Sequence, residues 1–225
     1  MLVRTTADRA SSTLADIGLT SGSNITVNLS EHTYQKGTEI FREGEFAEYV
    51  YQVKKGAVRT YKLLSDGRRQ IDAFHLEGDV FGLTSGEFHR FTAEAIVTTT
   101  LRLLRRKNIE KTVGEDRALA RDMLKMTTRS LRHAEDHMLL LGRKDSLEKV
   151  AAFLVEMDQR MNGSELMTLP MTRRDIADYL GLTLETVSRA LSRLRHAGAV
   201  KFLGTTQREI VILDRKHLHA LDLQA

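Results

Sequence analysis

The sequence predicts an α+β fold with a compact β-domain, then a long helix, then a helix pair followed by two short strands. Up to Asn108, short runs of β-branched and aromatic residues alternate with glycines, as in chains of short strands. After Asn108 the apolar spacing changes from two to about three and a half residues, which is the spacing of a packed helix. We therefore divide the chain into residues 1–27, 28–108, 109–142 and 143–225.

Composition excludes several classes of protein. The 225 residues are 41% hydrophobic and 28% charged, which is ordinary globular composition. No apolar run approaches the roughly 20 residues of a membrane-spanning helix, so we expect a cytoplasmic protein with no membrane partner. The absence of cysteine excludes disulfides and thiolate-bound iron-sulfur clusters. No phosphate loop or nucleophile elbow is present, so we expect no catalytic residues.

The N-terminal half predicts an extension followed by a compact β-domain. Residues 1–27 are rich in Ser, Thr, Ala and Gly, and they predict an extension with at most one short helix. Turn residues then recur about every ten positions, which indicates a β-sandwich or barrel. The predicted strands are Thr38–Phe41, Tyr49–Val53, Ala57–Leu63, Gln70–Phe74 and Ala95–Leu104.

A stripe of small and apolar residues, here called the seam, runs along the predicted long helix with spacings of four and three. This spacing is typical of two paired helices and predicts a homodimer. The alternative is packing of the helix on its own β-domain, and both can hold because apolar residues beside the seam (Leu119, Met123, Met126, Leu139 and Leu140) can face that domain. Gly142 is expected to end the helix, and Lys144–Met161 to form another. The seam consists of Ala120, Leu124, Thr127, Leu131, Ala134, Met138 and Leu141.

Residues Met171–Ala197 predict a helix-turn-helix. Thr172 can cap a first helix, Gly181 breaks it, and Thr183 can cap a second helix from Leu184 to about His196. A helix pair used only for packing is the alternative. The second helix favours a DNA-reading role because its polar side chains would point outward once Val187, Leu191 and Leu194 are buried.

These polar side chains have the chemistry to contact DNA bases. Arg189 can donate two hydrogen bonds to guanine O6 and N7, and Glu185 can accept one from a cytosine amino group. Glu185 can also hold the Arg189 guanidinium across one helical turn. The predicted base-contacting residues are Leu184, Glu185, Thr186, Ser188 and Arg189.

Two short strands, Val200–Leu203 and Glu209–Leu213, flank the turn 204–207 and predict a wing after the helix pair. Met171 to Lys216 holds nine basic and five acidic residues, and this excess of four equals the net charge of the whole chain, +4. The positive field is thus concentrated here. Solvated surface charge is the alternative for Lys201 and Arg208. The predicted phosphate-contacting residues are Thr172, Arg173, Arg174, Thr183, Arg193, Lys201 and Arg208.

The segment MTRRDIADYLGLTLETVSRALSRL is similar to the FNR and FixK branch of the CRP/FNR superfamily of bacterial transcription factors. Its E-x-x-S-R core is matched by Glu185, Ser188 and Arg189. Glycine-containing elements at 37–44, 53–59 and 78–82 resemble the β-roll of that family. The resemblance implies a homodimer with a β-roll, a dimerisation helix and one winged helix-turn-helix on each half-site of double-stranded DNA. It also implies a pseudo-palindrome near TTGA-N6-TCAA and contacts to RNA polymerase.

Departures from the family bear on how the protein is controlled. FNR-like oxygen sensors carry a cysteine cluster that this chain lacks. Cyclic-nucleotide binders have Gly-Glu and Arg-Ser where this chain has Gly82-Leu83 and Arg90-Phe91. We therefore expect an activator without a cofactor, with a regulator gated by an unidentified small molecule as the alternative. A pure dimeric scaffold or an enzyme is the alternative from another class.

Two further features have weaker interpretations. The polar loop Thr84–His89 resembles a polymerase-contacting surface, and an ordinary loop is the alternative. His133 and His137 stand four residues apart, but no third ligand accompanies them, so we predict no metal and expect solvated side chains.

Overall fold

The computed structural model describes residues 10–13, 26–143, 145–161, 163, 165–204 and 207–223. Contacts divide the chain into two compact units that meet between Leu131 and Arg132. This division falls inside a helix, whereas the sequence pattern places boundaries after residues 108 and 142.

The first unit contains two antiparallel sheets. One has the order β1-β2-β9-β4-β7, and the other has the order β3-β8-β5-β6. Their buried side chains include Phe41, Val53, Phe81 and Leu101. The predicted β-roll is therefore confirmed. The strands are β1 (Ala10–Thr13), β2 (Thr26–Tyr34), β3 (Glu39–Phe41), β4 (Tyr49–Lys55), β5 (Val58–Leu63), β6 (Arg69–His75), β7 (Val80–Phe81), β8 (Thr92–Ala95) and β9 (Thr99–Arg105).

The predicted strand Ala95–Leu104 is wrong, because β8 and β9 are separate strands joined by a tight turn. The hydroxyl of buried Thr99 lies 2.8 and 3.0 Å from the Val97 and Ala57 carbonyls, which share its single proton, and it accepts from the Ala57 amide at 3.1 Å. These bonds provide hydrogen-bond partners for backbone groups at the turn. Because the turn lies in a run of β-branched residues, the sequence pattern does not indicate it.

The predicted N-terminal extension is also more ordered than expected. Strand β1 pairs with β2 in the register Ala10 to Leu29 and Thr13 to Thr26, so residues 10–13 form a strand and not a short helix. Residues 26 and 27, also placed in the predicted extension, belong to β2, and residues 1–9 and 14–25 lie outside the described residues.

Two helices, α1 (Arg106–Glu115) and α2 (Arg117–Arg143), occupy the region predicted as one long helix. Asp116 separates them, and its Oδ1 accepts from the Ala118 and Leu119 amides at 2.7 and 3.3 Å, which caps α2. Gly142 does not end α2, which continues to Arg143. Leu119 is fully buried in the β-domain core, and Met123 and Met126 pack against that core as expected.

Most of the seam on α2 faces outward. Leu124, Leu131 and Met138 are 67%, 58% and 66% exposed, which is far more than large apolar side chains on one helix stripe normally show. Leu140 is buried, whereas Leu139 is 57% exposed.

The second unit contains α3 (Ser146–Arg160), α4 (Arg173–Leu180), α5 (Leu184–His196) and α6 (Arg215–Leu223). It also contains an antiparallel sheet in the order β10 (Leu166–Thr168), β12 (Glu209–Ile212), β11 (Val200–Leu203). Arg215 on α6 donates to both carboxylate oxygens of buried Asp158 on α3 at 2.8 and 3.0 Å, so it belongs to the internal packing of this unit. No described helix is long and apolar enough to cross a membrane.

His137 on α2 is packed and not solvated, contrary to the expectation. Its ring stacks on Tyr179 of α4 with centroids 4.2 Å apart. Both ring nitrogens are buried without a hydrogen-bond partner among the described residues. Burial lowers its pKa from 6.5 to about 4, and the nearby charges of His133 and Lys149 add to this. The described residues contain no group of three potential metal ligands.

This buried histidine predicts a pH-dependent stability. Because the unfolded chain binds a proton near pH 6.5 and the folded chain only near pH 4, stability should fall as the pH drops between these values. A pKa shift of one unit corresponds to about 1.4 kcal/mol of unfolding free energy. Because solvent screening at this partly open site reduces the contribution, we expect the free energy of unfolding to fall by an amount on the order of 2 kcal/mol.

The measurement is thermal or urea unfolding of the full chain and of His137→Phe at pH 7 and pH 4.5. The phenyl ring keeps the stack on Tyr179 and removes both unpaired nitrogens, so the variant should be more stable, with the larger difference at pH 4.5. Parallel pH profiles of the two proteins would rule out this role of His137.

Candidate nucleic-acid interface

Helix α4 begins with a closed capping box. The Thr172 amide and hydroxyl donate to Asp175 Oδ2 at 2.9 and 2.7 Å, and the Asp175 amide donates back to Thr172 Oγ1 at 3.2 Å. Asp175 is only 3% exposed, so this cap belongs to the packed interior. The predicted start of the first helix is confirmed, and it places Arg173 and Arg174 in the first turn.

A short turn then sets the direction of α5. Gly181 has φ +63°, a left-handed conformation that glycine adopts without strain. Thr183 caps α5 by accepting from the Thr186 amide at 3.2 Å, and the hydroxyls of these two threonines lie 2.9 Å apart. Helix α5 therefore begins where predicted.

The two faces of α5 differ in burial as predicted. Val187, Ala190, Leu191 and Leu194 are buried, and the helix packs against α3, α4 and β11. Among the predicted base contacts, Glu185 and Arg189 are exposed, whereas Leu184, Thr186 and Ser188 are partly buried. An exposed polar face that begins at the helix N-terminus is thus available to a ligand.

Electrostatic contacts hold Glu185 in its charged form. Its pKa is lowered by the hydrogen bond from its own backbone amide and by the bond from the Thr183 hydroxyl, with smaller contributions from the positive charges of Arg174 and Arg189. The predicted close ion pair between Glu185 and Arg189 is not among the ion pairs of the described residues. Arg174 lies 3.4 Å from Asp178 and keeps a 70% exposed side chain.

The predicted wing is a hairpin of β11 and β12, paired from Val200–Ile212 to Leu203–Glu209. Strand β10 pairs with β12 and adds a third strand to the hairpin. The sequence did not indicate β10. Lys201 is exposed and Arg208 is partly buried. Thr205 and Thr206 of the predicted turn lie outside the described residues.

The predicted phosphate contacts differ in how accessible they are. Among them, Arg173 is partly buried, and its guanidinium is engaged within the protein. Its Nη1 donates to Ser188 Oγ at 3.3 Å and its Nη2 donates to Gln207 Oε1. Burial lowers its pKa, with a smaller contribution from Arg195. The exposed predicted phosphate contacts are Arg174, Thr183, Arg193 and Lys201, and those partly buried are Thr172, Arg173 and Arg208.

In the first unit, the positions that correspond to the nucleotide-binding residues of the resembled family do not fit a cyclic nucleotide. Leu83 is 41% exposed and offers no oxygen to a ribose hydroxyl. Phe91 offers no hydroxyl to a phosphate, and its ring instead faces Lys62 and Arg90 at 5.7 and 6.0 Å.

The interior of the β-roll is filled by stacked rings. Phe41 stacks on buried His89 with ring centroids 3.6 Å apart, and Phe81 stacks on Tyr51 and His75 at 5.3 and 4.6 Å. Burial lowers the pKa of His89 and favours its neutral form. These rings pack against each other and present few hydrogen-bonding groups to a polar ligand.

Comparison with protein families gives matches in both units. Residues 31–116 match the family described as cyclic nucleotide-binding domain, and residues 148–221 match the family described as Crp-like helix-turn-helix domain.

Individual relatives are similar over most of the chain. The chain is 44% identical to the nitrogen fixation regulation protein FixK of Rhizobium meliloti, over 75% of this chain and 76% of that protein. It is 40% identical to the transcriptional activatory protein AadR of Rhodopseudomonas palustris, over 86% and 82%. The structure of FixK2 from Bradyrhizobium japonicum superposes with a TM-score of 0.85 at 59% identity, covering 88% of this chain and all of that one.

Proposed function

Because the chain belongs to the CRP/FNR family of DNA-binding transcription regulators, with FixK proteins among its relatives, we propose that it is a FixK-like activator. In this proposal it binds a pseudo-palindrome near TTGA-N6-TCAA as a homodimer and needs no bound cofactor. The exposed polar face of α5, which carries Glu185 and Arg189 within the first two turns, is the observation on which the proposal rests.

In this proposal α5 inserts into the major groove by its N-terminal turns. Arg189 has an exposed guanidinium whose fork matches guanine O6 and N7, and Glu185 is an ionised acceptor for a cytosine amino group. Thr186 offers a methyl group to thymine, while Leu184 and Ser188 contact the neighbouring base edges. A guanine and a cytosine in one half-site agree with a TTGA and TCAA pair.

Phosphate contacts surround this helix in the proposal. We place phosphates near the N-termini of α4 and α5, beside Thr172 and Thr183, because helix N-termini attract anions. The cations proposed to contact phosphates are Arg174, Arg193, Lys201 and Arg208.

The proposed dimer forms through the seam of α2, with residues 109–142 as the dimerisation segment. The exposed Leu124, Leu131 and Met138 bury their side chains against the same residues of a second copy, as a symmetric interface requires. Leu141 is the last residue of the seam. It is only partly exposed and lies near Gly181, so we place it at the end of the interface. Two helix-turn-helix units then face two half-sites.

We further propose that the loop Thr84–His89 contacts RNA polymerase. Phe88 is 54% exposed and meets Phe46, 53% exposed, edge to face with ring centroids 5.7 Å apart. Paired exposed aromatic rings are typical of protein contact surfaces.

A gel-shift assay with cofactor-stripped protein, beside a native mass spectrum, tests the proposal. We expect the mass of two unmodified chains and nanomolar operator binding without additives, which lies within the usual range of about 10⁻⁸ to 10⁻¹¹ M for specific complexes. A bound small molecule whose removal abolishes binding would instead support the alternative, a β-roll gated by a ligand.

A further inference from the structure

Arg173 connects three elements of the DNA-binding unit. It lies in the first turn of α4, and its guanidinium donates to Ser188 Oγ on α5 at 3.3 Å and to Gln207 Oε1 at the end of the wing turn. The same guanidinium carbon lies 5.5 Å from the centre of the Phe202 ring on β11. Arg173 therefore contacts both the helix proposed to read bases and the wing.

The position of the guanidinium does not suit a phosphate contact. The exposed Arg174 and Arg193 can turn toward a phosphate, whereas the partly buried Arg173 has its guanidinium held by two protein oxygens. Burial lowers its pKa, so its surroundings disfavour the charge. At least two of its N–H groups already donate hydrogen bonds to protein oxygens.

The bond to Ser188 also determines what the serine can do. A hydroxyl has one proton to donate and two lone pairs that accept. Because one lone pair accepts from Arg173, the serine proton remains free to be donated to a base or phosphate oxygen. Arg173 thus favours Ser188 as a hydrogen-bond donor toward DNA.

The wing contact is equally specific. Gln207 has φ +54°, a conformation that residues other than glycine rarely adopt. Arg173 Nη2 donates to the side-chain oxygen of Gln207, and the guanidinium carbon lies over the Phe202 ring. A lysine ammonium cannot bridge Ser188 and Gln207 from one plane in this way.

We propose that Arg173 is a positioning residue that fixes Ser188 and Gln207 of the wing relative to each other, and that it does not bind phosphate itself. This inference rests on the proposed DNA-binding function. It reassigns Arg173 from the predicted set of phosphate contacts.

The test compares Arg173→Lys, Arg173→Gln and Gln207→Ala with the unaltered full-length protein, by operator affinity at several salt concentrations. We expect about a tenfold loss for both Arg173 variants, because lysine keeps the charge but not the fork. The slope of log affinity against log salt should stay unchanged, since no phosphate contact is lost. Arg193→Gln is the matched control: it removes one phosphate contact from each protomer of the dimer, so it should lower the slope by about 1.8.

The double variant Arg173→Gln with Gln207→Ala adds a second readout. If the two residues act together, it should bind no worse than Arg173→Gln alone. Gln207 is exposed, so Gln207→Ala should fold and still show the loss of affinity without a change in slope.

An Arg173→Lys variant that binds like the unaltered protein, with a slope reduced by about 1.8 in Arg173→Gln, would show a phosphate contact from each protomer and overturn the inference. Fully additive losses would also overturn it. Failure of the unaltered protein to bind the operator at all would contradict the proposed function instead.

Discussion

Arg189→Ala should weaken operator binding by roughly thirtyfold to ten-thousandfold and relax sequence preference at one guanine in each half-site. Loss of a bidentate guanine contact costs on the order of 1 to 3 kcal/mol, the dimer loses one contact in each half-site, and about 1.4 kcal/mol corresponds to a factor of ten. The exposed guanidinium of Arg189 makes no ion pair among the described residues, so its removal leaves the protein interior unchanged. The measurement is affinity for the operator and for operators with each base substituted.

Lys216→Ala provides a control that removes the same charge from α6, outside the helix pair, at another exposed position. It should leave sequence preference unchanged. Equal affinity of Arg189→Ala and the unaltered protein for every operator would eliminate Arg189 as a base contact.

Leu131→Asp should convert the protein to monomers and lower operator affinity more than a hundredfold. Leu131 is 58% exposed in the middle of the seam, and an aspartate from each of two chains would place like charges in the interface. A monomer engages one half-site only, so it loses the gain of roughly 10² to 10⁴ that linked binding provides. Sedimentation and gel shift measure the two effects.

Leu139→Asp is the matched control on the same helix. Leu139 is 57% exposed but lies off the seam, so its replacement should leave the dimer intact. If Leu139→Asp dissociated the dimer and Leu131→Asp did not, the interface would lie on another face of α2.

Local chemistry made much of the DNA-binding unit predictable from the sequence. Neighbours within one or two turns determine the helix caps, the helix break and the buried positions, so their spacing alone predicts them. These are the caps Thr172 and Thr183, the break Gly181 and the buried Val187 and Leu191. The β-roll fold class was predictable because short strands and turns are also local patterns. The strand ends were not, because they depend on pairing with distant strands.

Contacts between distant positions were not predictable. Arg173 contacts Ser188 and Gln207, which lie 15 and 34 residues away in the sequence. From its position at a helix N-terminus alone, Arg173 was predicted to contact phosphate. His137 looked like a solvated helix position until Tyr179 was found stacked on it. Asp116 was missed as a helix break because aspartate is common on helix surfaces, although its capping ability was a usable signal.

Selection of binding sites from random double-stranded DNA by the purified, cofactor-free protein tests the central claim most directly, because it tests the base contacts and the dimer together. We predict enrichment of TTGA and TCAA half-sites as an inverted repeat with six base pairs between them. Enrichment of single half-sites, of another spacing or of no common sequence would contradict a dimer that reads DNA with Glu185, Ser188 and Arg189.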